Sequence, residues 1–216
     1  MERIKIKKIF GINVKDIDAN KNYKCIQCGK MKSIVENIIC SDCNFMNQKK
    51  EFLKQRSKRL LEKIPEVYKD SYKLYNDKLR SSFIYGETGT GKTTRGFAMI
   101  QNNIKMIPDF TYIKVDSLLM RLNPMMTSNI VENFEKFYNV YLLFLDDISV
   151  QNFSEASIRY LFNVIDTRLE LKKLTIITSM LSLKELTKNL PIELLSRIQQ
   201  MCKRIKMTGK NRRIEK

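Results

Sequence analysis

The chain has 216 residues, of which 43% are apolar, so it can build one sizeable core domain plus a small appendage, which excludes a disordered tail. Its 40 Lys and Arg residues outnumber its 23 Asp and Glu residues, and the net charge of +17 favours a polyanionic partner, nucleic acid ahead of an anionic membrane. A lysine-rich surface that merely aids solubility is the alternative. Histidine is absent, which excludes histidine as an acid–base catalyst and as a metal ligand.

The sequence shows no segment typical of membrane insertion or secretion. It has no run of about 18 apolar residues, and residues 1–8 lack the apolar core of a signal peptide. We therefore expect a cytoplasmic protein with reduced cysteines and no membrane partner.

Four cysteines near the N-terminus form two pairs, Cys25 with Cys28 and Cys40 with Cys43, separated by eleven residues. The two-residue gap in each pair allows both sulfurs to reach one metal, and four thiolates suit tetrahedral Zn²⁺. So short a segment cannot form a core without such a metal. The sequence therefore predicts a zinc-binding module over residues 1–45, with disulfides or free thiols as the alternative. Because small zinc modules serve both protein docking and nucleic-acid contact, the function of the module stays open.

Residues 46–63 are predicted to form a basic linker helix. Residues 49–63 contain seven basic and two acidic residues, together with a partial apolar stripe. Such a helix can contact nucleic acid, although a solvated helix face is the commoner explanation. Pro65 is expected to end the helix, and the second domain is expected to span residues 64–216.

Residues 86–93 have the pattern G-x-x-x-x-G-K-T, between an apolar run at 81–85 and a helical pattern that starts at Thr94. Strand, glycine-rich loop and helix are the context of a phosphate-binding loop. In such a loop the glycines let backbone N–H groups face the phosphates, and the helix N-terminus adds positive charge. The lysine reaches the β and γ phosphates, and the threonine after it holds Mg²⁺. A glycine-rich turn without a ligand is the alternative. The predicted nucleotide-binding residues of this segment are Gly86, Glu87, Thr88, Gly89, Thr90, Gly91, Lys92, Thr93 and Thr94.

A continuous apolar run at 140–145 precedes Asp146 and Asp147. Such a run predicts a parallel strand buried on both faces, and open α/β sheets bind ligands at the C-terminal ends of their strands. We expect Asp146 to belong to the Mg²⁺ shell and Asp147 to orient or activate an attacking water. A strand that simply ends in a turn is the alternative.

The remaining elements alternate between strands and helices. This alternation between residues 82 and 207 predicts a parallel sheet with helices on both faces. Cys202 is expected to lie in the core, and Ser154 is expected to cap a helix. Strands are predicted at 111–115, 174–179 and 203–207, and helices at 117–122, 130–138, 154–171, 183–189 and 192–201.

Several motifs together resemble the DnaC/DnaI-type AAA+ ATPases, the bacterial and phage helicase loaders, whose close relatives are the IstB-type transposition helpers. A zinc-binding N-terminal domain is also similar to the DnaI branch. The resemblance implies an α/β fold, a P-loop NTPase of the AAA+ type with helices on both faces of a parallel sheet, preceded by the small zinc-binding module. The similar segments within residues 60–216 are I-P-x-x-Y at 64–68, GETGTGKT at 86–93, LLFLDDI at 142–148, RLELKKLTIITS at 168–179, LLSRI at 194–198 and GKNRR at 209–213.

The resemblance also implies roles for arginines near the C-terminus. Arg197 stands where the family has its arginine finger, a cation that completes the nucleotide site of a neighbouring subunit. Arg213, or Arg212 as the second choice, stands where the family has its sensor 2. Because such sites are completed between subunits, a homo-oligomer is expected when ATP is bound.

Two positions depart from the family pattern. Met180 stands where the family usually has asparagine, so we expect Thr178 to sense the γ-phosphate, with Ser179 as the second choice. Asp147 stands where many AAA+ proteins have glutamate, and because aspartate is one methylene shorter, slow ATP hydrolysis is expected.

The resemblance implies an ATP-dependent loader of the replicative DnaB-type helicase in the cytoplasm of a bacterial host cell. Such a loader binds ATP with Mg²⁺ and single-stranded DNA, and docks the helicase through its zinc module. One alternative is an IstB-like transposition helper ATPase, which binds duplex DNA and a transposase; the zinc module speaks against it. The other is an adaptor or inhibitor of a replication protein that holds nucleotide with little hydrolysis, which Asp147 and Met180 favour.

Overall fold

The computed structural model describes residues 23–25, 27–33, 41–121, 130–148 and 154–212. The chain divides into two compact units, residues 1–55 and residues 56–216. The predictions for Cys40 and Arg213 lie outside the described residues.

The first unit contains a short antiparallel hairpin. Strands β1 (Tyr23–Lys24) and β2 (Met31–Ser33) pair across a tight turn. In this turn the Gly29 N–H donates to the Cys25 carbonyl at 2.8 Å, and the Cys25 N–H donates to the Lys30 carbonyl at 3.1 Å. Gly29 has a φ of +70°, a left-handed conformation that glycine adopts without steric cost.

Helix α1 (Ser41–Glu62) begins before residue 46, the predicted start of the linker helix. Cys43 therefore lies in its first turn, beside Asp42, whose charge favours the N-terminus of a helix. The helix ends before Pro65, as predicted, because proline disfavours a helical conformation in the residue before it. Cys43 and the predicted linker thus lie in one helix.

A five-stranded sheet forms the centre of the second unit. Its strands are β3 (Ser82–Gly86), β4 (Phe110–Lys114), β5 (Leu142–Asp146), β6 (Leu174–Ser179) and β7 (Lys203–Met207). The strand order is β4–β5–β6–β3–β7, and every neighbouring pair is parallel. The predicted parallel sheet is confirmed, and the C-terminal ends of β3, β5 and β6 meet at one edge of it.

The helices of the second unit follow the predicted alternation. Ser154 caps its helix as predicted, because its hydroxyl accepts a hydrogen bond from the Ser157 N–H at 3.1 Å. Two short 3-10 turns, Glu66–Tyr68 and Ser71–Lys73, precede β3. In the described part of the chain, no helix combines the length and the apolar character needed to cross a membrane. The helices are α2 (Lys92–Asn102), α3 (Val115–Arg121), α4 (Ile130–Asn139), α5 (Glu155–Glu170), α6 (Leu183–Leu186) and α7 (Ile192–Met201).

Two apolar clusters cover the two faces of the sheet. Strand β5 shows the division, since Leu143 and Leu145 belong to the cluster that includes α3, α5 and α7, whereas Leu142 and Phe144 belong to the cluster that includes α2. Alternate residues of a strand point to opposite faces, so a continuous apolar run is buried on both sides. Cys202 lies in the first cluster, as predicted, and burial raises the pKa of its thiol to about 12.

Arg168, near the end of α5, is fully buried. Burial lowers the pKa of its guanidinium to about 10, so the group stays protonated at neutral pH. The guanidinium joins the end of α4 to the beginnings of β5 and β6. It donates to the carbonyls of Phe137 (2.7 Å), Tyr138 (3.1 Å), Val140 (2.9 Å) and Leu174 (2.5 Å) and to the Thr175 hydroxyl (3.0 Å). This residue of the 168–179 motif therefore holds the sheet and a helix end together.

Candidate functional site

The loop between β3 and α2 has a backbone shape that depends on glycine. At Gly86, φ is +148°, and a Cβ would lie 2.2 Å from the Met207 carbonyl oxygen. At Gly89, φ is +79°, and a Cβ would lie 1.8 Å from the Asn211 side-chain oxygen. Any other residue at either position requires the loop or its neighbours to move.

Side chains of the loop hold this shape. Thr90 is buried, and its hydroxyl donates to the Glu87 carbonyl at 2.8 Å. The Lys92 ammonium donates to the carbonyls of Gly86 at 2.7 Å and Glu87 at 2.8 Å. Helix α2 begins at Lys92, so the partial positive charge of its N-terminus and this ammonium favour an anion at the same place.

A cavity of about 460 Å³ borders the loop, which is within the range of about 300–1,000 Å³ that small-molecule sites occupy. The structure brings most of the predicted residues to it, whereas Gly86, Glu87 and Thr90 shape the loop without lining the cavity. The predicted residues in its wall are Thr88, Gly89, Gly91, Lys92, Thr93, Thr94, Asp146, Asp147 and Thr178. The other residues in its wall are Val67, Tyr68, Tyr112, Lys114, Met180 and Arg212.

Asp146, at the end of β5, is a buried carboxylate that accepts hydrogen bonds from three hydroxyl groups. Its Oδ1 accepts from Thr93 at 2.9 Å and from Thr178 at 2.6 Å, and its Oδ2 accepts from Tyr112 at 2.9 Å. Hydrogen bonds to an ionised carboxylate are stronger than those between neutral groups, so three donors hold this side chain in one orientation. Burial and the Asp146 charge raise the pKa of Tyr112, which keeps the phenol protonated as a donor.

The Thr93 hydroxyl and the Asp146 carboxylate fit a magnesium ion. Both present oxygen atoms, the ligands that Mg²⁺ prefers, and they lie 2.9 Å apart at the start of α2 and the end of β5. Mg²⁺ is usually held by one or two such protein ligands together with phosphate oxygens and waters. The phosphate-binding loop and this oxygen pair line one cavity, as that arrangement requires.

Asp147 follows Asp146 in a left-handed conformation, with a φ of +60° that aspartate tolerates better than most residues. Its backbone N–H donates to the Thr178 hydroxyl at 2.8 Å, which holds the turn in place. Burial and the charge of Asp146 raise the pKa of the Asp147 carboxyl, and the charge of Lys92 opposes this shift. A carboxylate with a raised pKa beside a phosphate-binding loop suits a proton acceptor.

Thr178, at the end of β6, connects the two aspartates. Its hydroxyl donates its single proton to Asp146 and accepts from the Asp147 N–H, so both hydrogen bonds serve to position these residues. The second candidate, Ser179, is buried, and its hydroxyl donates to the Ile148 carbonyl at 2.8 Å. The expectation that Thr178 senses the γ-phosphate stays a prediction, and the structure adds a positioning role.

Arg212 lines the cavity, whereas the predicted Arg213 lies outside the described residues. The Arg212 N–H donates to the Gly89 carbonyl at 3.1 Å, which fastens the chain to the phosphate-binding loop. Its guanidinium lies 5.7 Å from the centre of the Tyr75 ring, on which it stacks as a cation on an aromatic face. The second choice from sequence is therefore a cation of this site.

Arg197, on α7, does not line the nucleotide cavity of its own chain. Its Nε donates to Asp166 Oδ1 on α5 at 2.5 Å, and 41% of its side chain is exposed. An exposed guanidinium held at one end by a carboxylate is compatible with a contact to another subunit, and the role of Arg197 stays a prediction.

In the first unit, Cys25, Cys28 and Cys43 converge so that their sulfurs lie within 4.8 Å of one another. Around a tetrahedral zinc ion with Zn–S bonds of about 2.3 Å, sulfurs stand about 3.8 Å apart, so this spacing fits a metal. The Gln27 N–H donates to the Cys25 sulfur at 3.4 Å. Cys40 lies outside the described residues.

Sequence reasoning missed several residues of the cavity wall. Tyr112 and Lys114 lie on β4, where Tyr112 pairs in register with Phe144 and Lys114 with Asp146. Their position beside Asp146 becomes visible only once β4 is known to pair with β5. Val67 and Tyr68 come from the 3-10 turn that precedes the sheet, and the I-P-x-x-Y segment that contains them predicted no role at the cavity.

Comparison with known proteins identifies a family for most of this chain. Residues 74–216 match the model of the IstB-like ATP binding protein family. No curated protein matches the chain in sequence.

Many solved structures share the fold, and three of them illustrate its similarity to this chain. DnaI is 21% identical, with 73% of this chain and 81% of that chain covered and a TM-score of 0.52. The DnaC helicase loader is 21% identical, with 66% and 86% covered and a TM-score of 0.54. AMPPCP-bound DnaA from Aquifex aeolicus is 24% identical, with 68% and 47% covered and a TM-score of 0.54. At these identities the likeness concerns the fold.

Proposed function

Because this chain belongs to the IstB-like ATP-binding family, we propose that it is an ATP-dependent loader of a replicative DNA helicase. The observation that carries the nucleotide part is the cluster in which Thr93, Tyr112 and Thr178 hold Asp146 beside the phosphate-binding loop. The helicase part is supported by the fold shared with the DnaC helicase loader.

The proposed reaction is the hydrolysis of ATP. Loop N–H groups and Lys92 bind the phosphates, and Thr93 with Asp146 holds Mg²⁺, which neutralises charge on the phosphate oxygens when bound. Asp147 orients a water or accepts its proton, which its raised pKa suits. Arg197 of a neighbouring subunit supplies the cation that stabilises charge on the transferred phosphoryl group, so turnover requires assembly into a homo-oligomer.

The zinc module is proposed to dock the helicase. Cys25, Cys28 and Cys43 converge, and Cys40 is proposed as the fourth ligand because four thiolates complete a tetrahedral structural site. A metal that organises so short a segment creates a rigid surface for a partner protein. The net charge of +17 supports single-stranded DNA as the second partner.

Size-exclusion chromatography with the replicative hexameric helicase tests this proposal. We expect the zinc-loaded protein to co-elute with the helicase in the presence of ATP, and Cys25→Ser with Cys28→Ser to abolish co-elution. Cys202→Ser is the matched control, because it changes a cysteine of the ATPase core, and should co-elute normally. Failure of the wild-type chain to co-elute under every nucleotide condition would sink the loader assignment.

Two other functions share the same nucleotide site. The family match favours an IstB-like transposition helper, which predicts tighter binding to duplex than to single-stranded DNA. Two observations favour an adaptor that holds nucleotide with little turnover. Met180 lies in the cavity wall, and the Thr178 hydroxyl already donates its proton to Asp146. Measured ATP turnover that disappears in Asp147→Asn excludes the adaptor.

A further inference from the structure

Two cavities lie side by side along β7, and Lys184 on α6 lines both of them. The first has a volume of about 540 Å³ and contains Arg204, and the second has a volume of about 610 Å³ and contains Lys206. We call this surface the basic groove and define it by Lys184, Arg204 and Lys206. The second cavity shares Met180 with the nucleotide cavity, so the groove adjoins the nucleotide site.

The strand geometry of β7 directs its cations into the groove. Ile205 and Met207 are buried in the core cluster that contains α2, whereas Arg204 and Lys206 are exposed. Because alternate residues of a strand point to opposite faces, Arg204 and Lys206 share the face that carries the groove. They are about 6.6 Å apart along the strand, at about 3.3 Å per residue.

The positive charge of the groove is not neutralised by ion pairs. Among the described residues, no carboxylate forms a salt bridge with Lys184, Arg204 or Lys206. Two carboxylates, Glu87 and Glu185, line the second cavity, whereas none lines the first. Glu185 accepts hydrogen bonds from the Ser182 hydroxyl and N–H at the start of α6, and Lys206 adds to the lowering of its pKa. An anion in the first cavity therefore meets Lys184 and Arg204 with no carboxylate in the wall to compete for them.

Protection of a sheet edge explains only part of this pattern. Strand β7 is at the edge of the sheet, and lysines on an edge strand discourage pairing with another chain. That reason applies to Lys206, but it does not account for Lys184, which lies on a helix. It also leaves the polar wall of the first cavity unexplained.

The wall of the first cavity has the chemistry of a nucleic-acid surface rather than of a purely charged one. Thr187, Ser196, Gln199 and Gln200 offer hydroxyl and amide groups to base edges and sugars. Ile192 is 70% exposed and offers an apolar contact to a base. An acidic peptide needs the cations alone, whereas a single strand uses cations, polar groups and an apolar surface together.

We propose that the basic groove binds single-stranded nucleic acid, with Lys184, Arg204 and Lys206 in contact with the phosphodiester backbone. The proposal deepens the DNA-binding part of the proposed function and rests on it. Because the groove adjoins the nucleotide site, a strand bound there lies next to the residues that contact ATP.

Fluorescence anisotropy with a labelled 20-nucleotide oligo(dT) tests the groove in the full-length, zinc-loaded protein. We expect the double variant Lys184→Glu with Arg204→Glu to raise the Kd at least about tenfold. It should also flatten the slope of log K against log salt concentration by about 1.4, because each of the two lost phosphate contacts on a single strand contributes about 0.7. The matched control is Lys78→Glu with Lys105→Glu, which makes the same charge change at two exposed lysines outside these cavities. Binding of fluorescent ATP shows whether the charge-reversed variant is folded. If it is not, the neutral variant Lys184→Gln with Arg204→Gln replaces it in the same assay.

The outcomes separate the groove from the proposed function. An equal loss in the control pair means that net charge alone drives binding, and an unchanged Kd in the groove pair places DNA elsewhere; either overturns the inference. Absence of DNA binding by the wild-type chain removes the DNA partner as well, while ATP-dependent co-elution with the helicase leaves the loader assignment intact. A groove variant that loses the helicase and keeps the DNA identifies a protein-docking surface and overturns the inference.

Discussion

Replacement of Arg168 by methionine tests how much one buried guanidinium stabilises the sheet. Methionine retains much of the aliphatic stem and removes every donor. Four carbonyl groups and the Thr175 hydroxyl then lose the donor that Arg168 now provides. The contacts to Phe137, Val140 and Thr175 are buried, and the other two are partly buried. The Thr175 hydroxyl can still donate to the Lys173 carbonyl, 3.4 Å away, so the carbonyl groups bear most of the loss.

The size of the effect follows from two opposing contributions. Each buried acceptor left without a donor costs about 1–3 kcal/mol, so the two buried carbonyl groups cost about 2–6 kcal/mol and the two partly buried ones add less. Removal of a buried charge returns part of this, because the guanidinium no longer has to be desolvated. We expect a net loss of about 3–5 kcal/mol, comparable to the loss of one partner from a buried ionic contact. A domain whose total stability is about 5–15 kcal/mol loses a large fraction of it.

Urea unfolding at neutral pH, followed by circular dichroism, measures this loss. Arg159→Met is the matched control, because Arg159 is an exposed residue of the same helix and its replacement should change the free energy of unfolding by less than about 0.5 kcal/mol. Arg168→Lys keeps the charge with fewer donors and should lie between the two. If Arg168→Met unfolds at the same urea concentration as the control, the hydrogen bonds contribute no net stability and the reasoning is refuted.

Three further predictions concern the nucleotide and metal sites. Burial and the charge of Asp146 raise the pKa of Asp147 in the folded protein. The protonated Asp147 carboxyl therefore contributes its full stability below about pH 3.9, the ordinary pKa of aspartate, and this contribution is lost as the pH rises through the pKa of the folded state. Asp147→Asn should therefore raise the melting temperature of the nucleotide-free protein at pH 7 while it abolishes ATP turnover; a lower melting temperature contradicts this. Tyr112→Phe removes one donor to Asp146 and should raise the Mg²⁺ concentration needed for half-maximal binding of fluorescent ATP by up to about tenfold, with binding in EDTA unchanged. An unaltered Mg²⁺ requirement would assign Tyr112 to packing alone. Cys43→Ser should lower the zinc content measured by mass spectrometry, whereas Cys202→Ser should leave it at the wild-type value.

Local patterns were sufficient for the elements that depend on neighbours in the chain. The G-x-x-x-x-G-K-T segment predicted a loop between a strand and a helix, and β3 and α2 flank it as expected. Ser154 predicted a helix start because a cap requires only the next three residues. The apolar run before Asp146 predicted a strand covered on both faces, and the two clusters confirm this. Helix α1 differed because Ser41 and Asp42 can start a helix before the basic stretch begins.

The environment of Asp146 was decided by the order of the strands. Thr93, Tyr112 and Thr178 are far apart in the sequence. They reach one carboxylate because α2 begins where β4 and β6 end, at the same edge of the sheet. Periodicity describes one strand at a time, so it does not state which strands are neighbours. A tyrosine on a predicted strand therefore looks like a core residue until β4 is placed beside β5.

The sequence by itself determined the phosphate-binding loop, the two aspartates after an apolar strand, the alternation of helices and strands, and the paired cysteines. Each of these depends on residue types at short, regular spacing, and local steric and hydrogen-bonding rules act over that range. Only the tertiary structure decided that Thr178 bridges both aspartates, that Arg212 enters the cavity, and that Arg168 is buried among carbonyl groups. These contacts join residues far apart in the chain, and only the packing of the sheet and helices gives them their energy.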